Sequence, residues 1–445
     1  MQNQFQQDIW KAAQGPWESS ILPSTENLVR ARASLPAILP DTGSSLESVQ
    51  RHIVDDIVPA FNGGSLSANY YGFITGGTTP AALFADNVVS TYDQNVQVHL
   101  PNHSIVTDVE YNTLGLLLDL FQLDRSTWHN GTFTTGATGA AQRKGCHLQS
   151  VGEEGLFKVL NALGLSGVQV LSTLPHSSLV KAAGVLGIGR SNVHNICRAD
   201  DPLRFDIDKL EKELARTDKY GAWMHADGAF GIFARVLGES PEFATIKKGC
   251  EGIELVDSIT GDGHKLLNVP YDCGFFFTRH PNVASQVFQN ANAAYLAAGN
   301  SDGPSIPSPL NIGIENSRRF RALPVYASLL SYGKSGYQEM LERQIRLARK
   351  IYGWVFDHPG YTALPEALSK SELLDRTFMT VLLRANNEDL NRELGSKIND
   401  SSRMFVSGTS WDGSPACRIA ISNWRVDVER DFLLVTDVLA KVAQG

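Results

Sequence analysis

Cysteine is scarce in this chain. Cys146, Cys197, Cys250, Cys273 and Cys417 are scattered over 445 positions. Their odd number and the absence of any CxxC pair argue against a disulfide framework and against a zinc cluster, and point to thiols kept reduced. Long apolar runs are also missing: stretches such as Leu114–Leu118 are far too short to cross a bilayer. The N-terminus, MQNQFQQDIWKAAQGPW, is polar and lacks the apolar core of a signal peptide, so the cytosol is the expected location. Nor is there an excess of positive charge. The 39 Lys and Arg residues against 47 Asp and Glu give a net charge of −8, which speaks against a general nucleic-acid binder. No internal repeat and no low-complexity segment is visible. What remains is an ordinary globular composition, 42% hydrophobic and 19% charged, in a chain too long for one simple core.

The patterning divides the chain into three parts: residues 1–80, an N-terminal arm and loop; 81–324, a large domain; and 325–445, a smaller one. Ser44–Ile57 has helical spacing, and Asn69–Pro80 (NYYGFITGGTTP) reads as a loop that brings backbone close to a neighbour. Helices are expected over Ala81–Asn95 and Asp108–Phe121. Short β runs then alternate with helical patterns. Strands are expected at Val168–Thr173, Val193–Cys197, Ala222–Ala226, Leu255–Ile259 and Gly274–Thr278, and helices at Ser177–Leu186 and Asp206–Arg216. That alternation implies an α/β large domain with a mainly parallel sheet. Beyond Pro324 the pattern becomes α+β. Tyr337–Phe356 places Leu341, Ile345, Ala348, Tyr352 and Val355 on one helical face. Two β runs, Phe378–Arg384 and Arg418–Ser422, and a last helix, Val428–Val442, follow.

Four segments carry candidate chemistry. In DSITGDGHKLLNVPYDCG, Asp257–Gly274, a strand end presents His264 and Lys265 after two glycines. A lysine in such a place suits Schiff-base chemistry, because burial favours the neutral, nucleophilic amine, although a surface loop lysine has the same local sequence. In WMHADGAFG, a strand delivers Asp227 to its C-terminal end, where open α/β sheets bind ligands; a turn cap is the plainer role. His176, in STLPHSSLVKAAGVL, lies between a strand and a helix and could stack on a ring or simply be structural. TFTTGATGAA, Thr132–Ala141, could turn backbone N–H groups toward a phosphate at a helix N-terminus. The same glycines also resemble the signature of nicotinamide-dependent short-chain reductases, for which Glu153 or Glu154 would be the acidic partner.

Taken together and in this order, phosphate turn, histidine, aspartate and lysine resemble the fold-type-I pyridoxal-phosphate enzymes. The closer likeness is to the group II decarboxylases of aromatic amino acids, tyrosine and glutamate, especially fungal-type members. HSS at 176–178, HADGAFG, DGHK, RRFRALPVY with YGKSGY, and GTSWDGSPACRIAISNWRV carry it, over nearly the whole chain. The resemblance implies a transferase-like large domain, a small α+β C-terminal domain and a homodimer with shared active sites. The cofactor would be pyridoxal 5'-phosphate and the substrate a small amino acid. Lys265 would hold the cofactor covalently, Asp227 would pair with its pyridine nitrogen and His176 would stack on its ring. Ala137 and Thr138 would hold the phosphate, with Ser317 contributing from the partner subunit. Asp262 and His264 match the polar positions before the lysine, where the family often has Asn in place of Asp262. Tyr295, in NAAYLAAG, matches a mobile-loop tyrosine that protonates the substrate carbon once CO2 has left. The implied activity is decarboxylation of an L-amino acid such as tyrosine, DOPA or tryptophan. An aldehyde synthase and a non-catalytic homologue are the alternatives.

Two departures from the family pattern stand out. The phosphate turn runs into GAAQRKGCHLQSVGEEG, Gly139–Gly155, without the apolar stripe of a packed helix. The helix Asp206–Arg216 passes through Thr217–Gly221 directly into the strand of Asp227, where the family has an additional strand, loop and helix. Loss of a central strand would uncover its neighbours' edges. The sequence therefore also fits an impaired homologue or a mis-spliced product lacking part of the cofactor domain.

Overall fold

A computed structural model describes residues 20–128, 130–136, 151–215, 222–288, 306–366 and 368–444. The chain forms two compact units. One comprises Ala81–Val236 and Lys247–Lys334; the other joins the segment up to Pro80 with Leu237–Ile246 and the chain from Ser335 onward. Among the described residues no helix is long and apolar enough to cross a membrane.

The first unit holds strands β1 (Asn130–Thr134), β2 (Val170–Ser172), β3 (Val193–Asn195), β4 (His225–Asp227), β5 (Ser258–Asp262) and β6 (Gly274–Thr278). Four of them form a sheet of order β1-β6-β5-β4, while β2 and β3 form a separate parallel pair. β4 and β5 are parallel, but β6 runs antiparallel to both β5 and β1. The expected parallel sheet is thus mixed at β6. The reason is the connection: a parallel crossover usually carries a long helix across the sheet, and β5 returns to β6 through Gly263–Cys273, whose only helix is the single turn Gly263–Leu266. β1, not foreseen as a strand, leads into the glycine turn.

Every residue of β5 and β6 is buried. Phe275 stacks on Phe121 with ring centroids 5.4 Å apart, and Phe233 meets Phe121 edge-on at 5.1 Å. Gly261 is required by this packing, since a Cβ there would lie 2.2 Å from the Phe275 ring. The two expected N-terminal helices of the unit occupy Pro80–Tyr92 and Val106–Leu120. The second contributes Glu110 to a buried ion pair in which Arg318 Nη1 donates to Oε2 at 2.8 Å.

The second unit contains β7 (Tyr361–Ala363), β8 (Thr380–Ala385), β9 (Ser407–Trp411) and β10 (Ser414–Ala420), an antiparallel sheet of order β7-β8-β10-β9. β8 alternates strictly, with Val381, Leu383 and Ala385 buried. They share a core with residues of the helices Glu388–Asp400 and Val428–Gln444. The long helix Ala322–Asp357 is non-helical at Gly333, and the apolar face anticipated beyond it is buried at all five positions named above. Asn69–Pro80 runs beside the C-terminal residues, as its glycines imply. Tyr71 N donates to Phe405 O at 2.7 Å, and a Cβ on Gly72 would lie 2.3 Å from the Phe405 ring.

Candidate active site

The site is built where β4 and β5 end together. Asp227 closes β4 in register with Thr260, and β5 runs two residues further to Asp262. The loop after β4 is laced to β5. Gly228 N donates to Thr260 O at 2.9 Å, and Asp262 N to Ala229 O at 3.1 Å. Gly228 allows this approach, because a Cβ there would sit 2.8 Å from Thr260 O.

After Asp262 the chain makes one helical turn, Gly263–Leu266, which carries His264 and Lys265. Lys265 Nζ lies 2.9 Å from Asp262 Oδ2, with side-chain exposures of 21% and 8%. The amine is therefore held by a nearly buried carboxylate yet still reachable from solvent. Phe230, from the β4 loop, places its ring centroid 5.3 Å from the same nitrogen, an arrangement in which the ring face attracts the cation. The His264 ring stacks on Tyr271 at 5.0 Å, and its Nδ1 is 2.9 Å from Cys273 O. A carbonyl only accepts, so Nδ1 carries the proton and in the neutral ring Nε2 has the lone pair.

Gly136, at the start of the glycine segment, lies at the same place. A Cβ on Gly136 would lie 3.2 Å from Asp262 Oδ1 and 3.7 Å from His264 Cε1, and one on Gly274 would lie 2.5 Å from Gly136 Cα. β1 thus delivers the start of the turn against the lysine segment through backbone that only glycines permit. Ala137 and Thr138, the candidate phosphate contacts, lie outside the described residues, as does Tyr295.

The remaining candidates stand differently. Asp227 is exposed, and its Oδ1 accepts from Ala229 N at 3.2 Å, so the plainer role of turn cap is realised while the carboxylate stays open. His176 is exposed and follows β2, outside the four-stranded sheet. Its Nδ1 caps the helix Ser177–Val185 through Ser178 N at 3.3 Å and meets Ser178 Oγ at 2.7 Å. The structure does not place it in the sheet that carries Lys265 and Asp227. Ser317 is exposed, next to Arg318, whose side chain is buried. Phe230, Tyr271 and the Cys273 carbonyl were not anticipated as site residues. The aromatic character of WMHADGAFG and VPYDCG was the only available signal.

A pyridoxal-type cofactor needs an amine for its carbonyl, a carboxylate for its ring nitrogen and a backbone cradle for its phosphate. Lys265 and Asp227, at the ends of adjacent parallel strands, fit the first two. The Gly136 backbone, pressed where a Cβ would fill the space beside Asp262, fits the entry to the third.

Residues 192–361 match the family model of the pyridoxal-dependent decarboxylase conserved domain. L-2,4-diaminobutyrate decarboxylase of Acinetobacter baumannii is 26% identical over 56% of this chain, which spans about half (52%) of that relative. Tryptophan decarboxylase TDC1 of Camptotheca acuminata is 23% identical over 86% of this chain and 81% of its own length. The crystal structure of Oryza sativa TDC with PLP and tryptamine superimposes with a TM-score of 0.82, covering 100% of this chain and 96% of that one at 19% identity, a likeness of fold. The chain thus matches the pyridoxal-dependent decarboxylase conserved domain over residues 192–361 and is similar in fold to the solved structure named above.

Proposed function

We propose that this chain decarboxylates an aromatic L-amino acid to its amine, with pyridoxal 5'-phosphate bound through Lys265. The observation that carries this reading is the Lys265–Asp262 pair at the end of β5, beside Asp227 at the end of the parallel neighbour β4. When bound, the cofactor supplies an electron sink for the pair released with CO2.

The residues divide the remaining work. Lys265 is a nucleophile only as a neutral amine, and Asp262, 2.9 Å away, is the nearest acceptor for the proton it must lose. Asp227 presents an open carboxylate to hold a protonated ring nitrogen. His264, with Nδ1–H fixed on Cys273 O, offers Nε2 as acceptor when neutral and as donor when protonated. By resemblance, Ala137 and Thr138 hold the phosphate, Tyr295 returns a proton to the substrate carbon and His176 stacks on the ring. Ser317, exposed as a partner-facing residue must be, supports a homodimer with shared sites. The likeness to aromatic-amino-acid decarboxylases supports the substrate class, and the absence of a membrane-crossing helix among the described residues is consistent with a cytoplasmic enzyme.

A second reading is favoured by one observation. Among the described residues β4 pairs only with β5, and β2 and β3 pair only with each other. This is the arrangement of a shortened member with weakened cofactor binding. One experiment tests both readings. The purified chain is titrated with pyridoxal 5'-phosphate, reduced with borohydride and digested, and amine release is assayed over a panel of L-amino acids. Cofactor fixed to Lys265 with amine release from tyrosine, DOPA or tryptophan is the expected result. Cofactor fixed elsewhere, or no amine from any amino acid, would overturn it. Labelling of Lys265 without turnover would select the shortened, impaired member, and aldehyde in place of amine would reassign the reaction.

A further inference from the structure

The segment between the lysine turn and β6 is held from a distance. Asp272 has a left-handed backbone, φ 66°, a region that Asp enters more readily than most residues with a Cβ. Its carboxylate meets Arg321, whose side chain is only 5% exposed. Its Nε and Nη2 donate to the two oxygens of Asp272, each at 3.1 Å. Its Nη1 and Nη2 also donate to Glu315 at 2.9 and 2.8 Å. One planar guanidinium thus grips two carboxylates in two forks, a geometry a lysine cannot reproduce. At the other end of the segment Ser328 Oγ donates to Leu267 O at 3.2 Å.

The residues on either side of Asp272 are those that hold His264. Tyr271 stacks on the imidazole, and Cys273 O takes both His264 Nδ1, at 2.9 Å, and His264 N, at 3.2 Å. Asp272 reaches the imidazole only through these neighbours. We propose that Arg321 is a positioning residue: by clamping Asp272 it fixes Tyr271 and the Cys273 carbonyl, and so keeps His264, next to Lys265, as the Nδ1–H tautomer with its lone pair on Nε2. This rests on the site assigned above, but its test needs neither cofactor nor turnover.

The test is the nitrogen NMR signature of the His264 ring in the full chain with labelled histidine, the resonance being assigned by its loss in His264→Gln. The wild type is expected to show the Nδ1–H tautomer alone. Two variants remove the clamp. Arg321→Lys keeps the charge and loses the forks. Asp272→Gly deletes the carboxylate while making φ 66° easier, so a merely local turn role predicts no change or a gain in stability. Both variants are expected to show a mixture with the Nε2–H form. If Arg321→Lys fails to fold because Glu315 is left poorly paired, Asp272→Gly decides alone. A pure Nδ1–H signature in Asp272→Gly would overturn the proposal. Failure of decarboxylation with this NMR result intact would instead count against the proposed reaction.

Discussion

β5 with β6, and β2 with β3, lie in the same unit but in opposite conditions. Every residue of β5 and β6 is buried, whereas no residue of β2 or β3 is. β5 and β6 each have a strand on both sides; β2 and β3 have only each other among the described residues. The helix Ile207–Ala215, between β3 and β4, repeats the contrast. Its sequence is strongly amphipathic, yet it buries no residue, with Ile207 57% and Leu214 36% exposed. Parallel strands ordinarily need cover on both faces and partners at both edges. The open region carries an apolar pattern for a neighbour that the described chain does not supply, and it adjoins the short Thr217–Gly221 connection. The chemistry of Lys265 and Asp262 lies on the dense side, while Asp227 and His176 lie toward the open one.

The largest test of this division is functional. Lys265→Ala is expected to reduce amine release to background and to abolish borohydride fixation of the cofactor, while Lys181→Ala, on the helix after β2, leaves both unchanged. Equal losses from the two would mean that the open side belongs to the site as much as the dense one.

Packing provides the next contrast. Phe275→Ala removes a buried ring and should cost about 3–5 kcal/mol in denaturant unfolding. Phe157→Ala, at 83% exposure, should stay within about 0.5 kcal/mol. Similar costs would show that Phe157 is covered in solution. Gly261→Ala comes below Phe275→Ala. Its Cβ would meet the Phe275 ring at 2.2 Å, so overpacking of about 1–3 kcal/mol is expected from the same measurement.

The sequence made the local parts legible and the non-local ones obscure. The buried face of the long helix follows from helical spacing alone, and the lysine turn follows from a strand ending in small residues. The direction of β6 could have been read from the Gly263–Cys273 connection, but alternation is absent because β5 and β6 are both wholly buried. β1 is not legible as a strand, since NGTFT is short and opens on turn-forming residues. The Arg321–Asp272 clamp joins residues far apart in the chain, and no spacing rule reaches across that distance. His176 follows a strand as expected, yet a strand's sheet partners are set by tertiary pairing, and β2 pairs only with β3.

The smallest expected effect is the most discriminating for the open side. Leu214→Lys extends an already charged helix and removes an apolar side chain from the surface. If the apolar face of Ile207–Ala215 stays as open in solution, with Leu214 36% exposed, the folded state loses little burial, and stability should change by no more than about 0.5 kcal/mol. Self-association, followed by light scattering, should fall, because exposed apolar patches drive contact between copies. If the helix instead packs on a strand, its own or one from a second chain, the substitution forfeits the burial of a leucine, about 1.5–3 kcal/mol. That loss would appear in denaturant unfolding, and it would become concentration-dependent if the partner were a second copy. A neutral Leu214→Lys with reduced scattering would establish the open side as a real feature of the folded chain. A cost in the upper range would show that its edge is covered, and the contrast with β5–β6 would then vanish in solution.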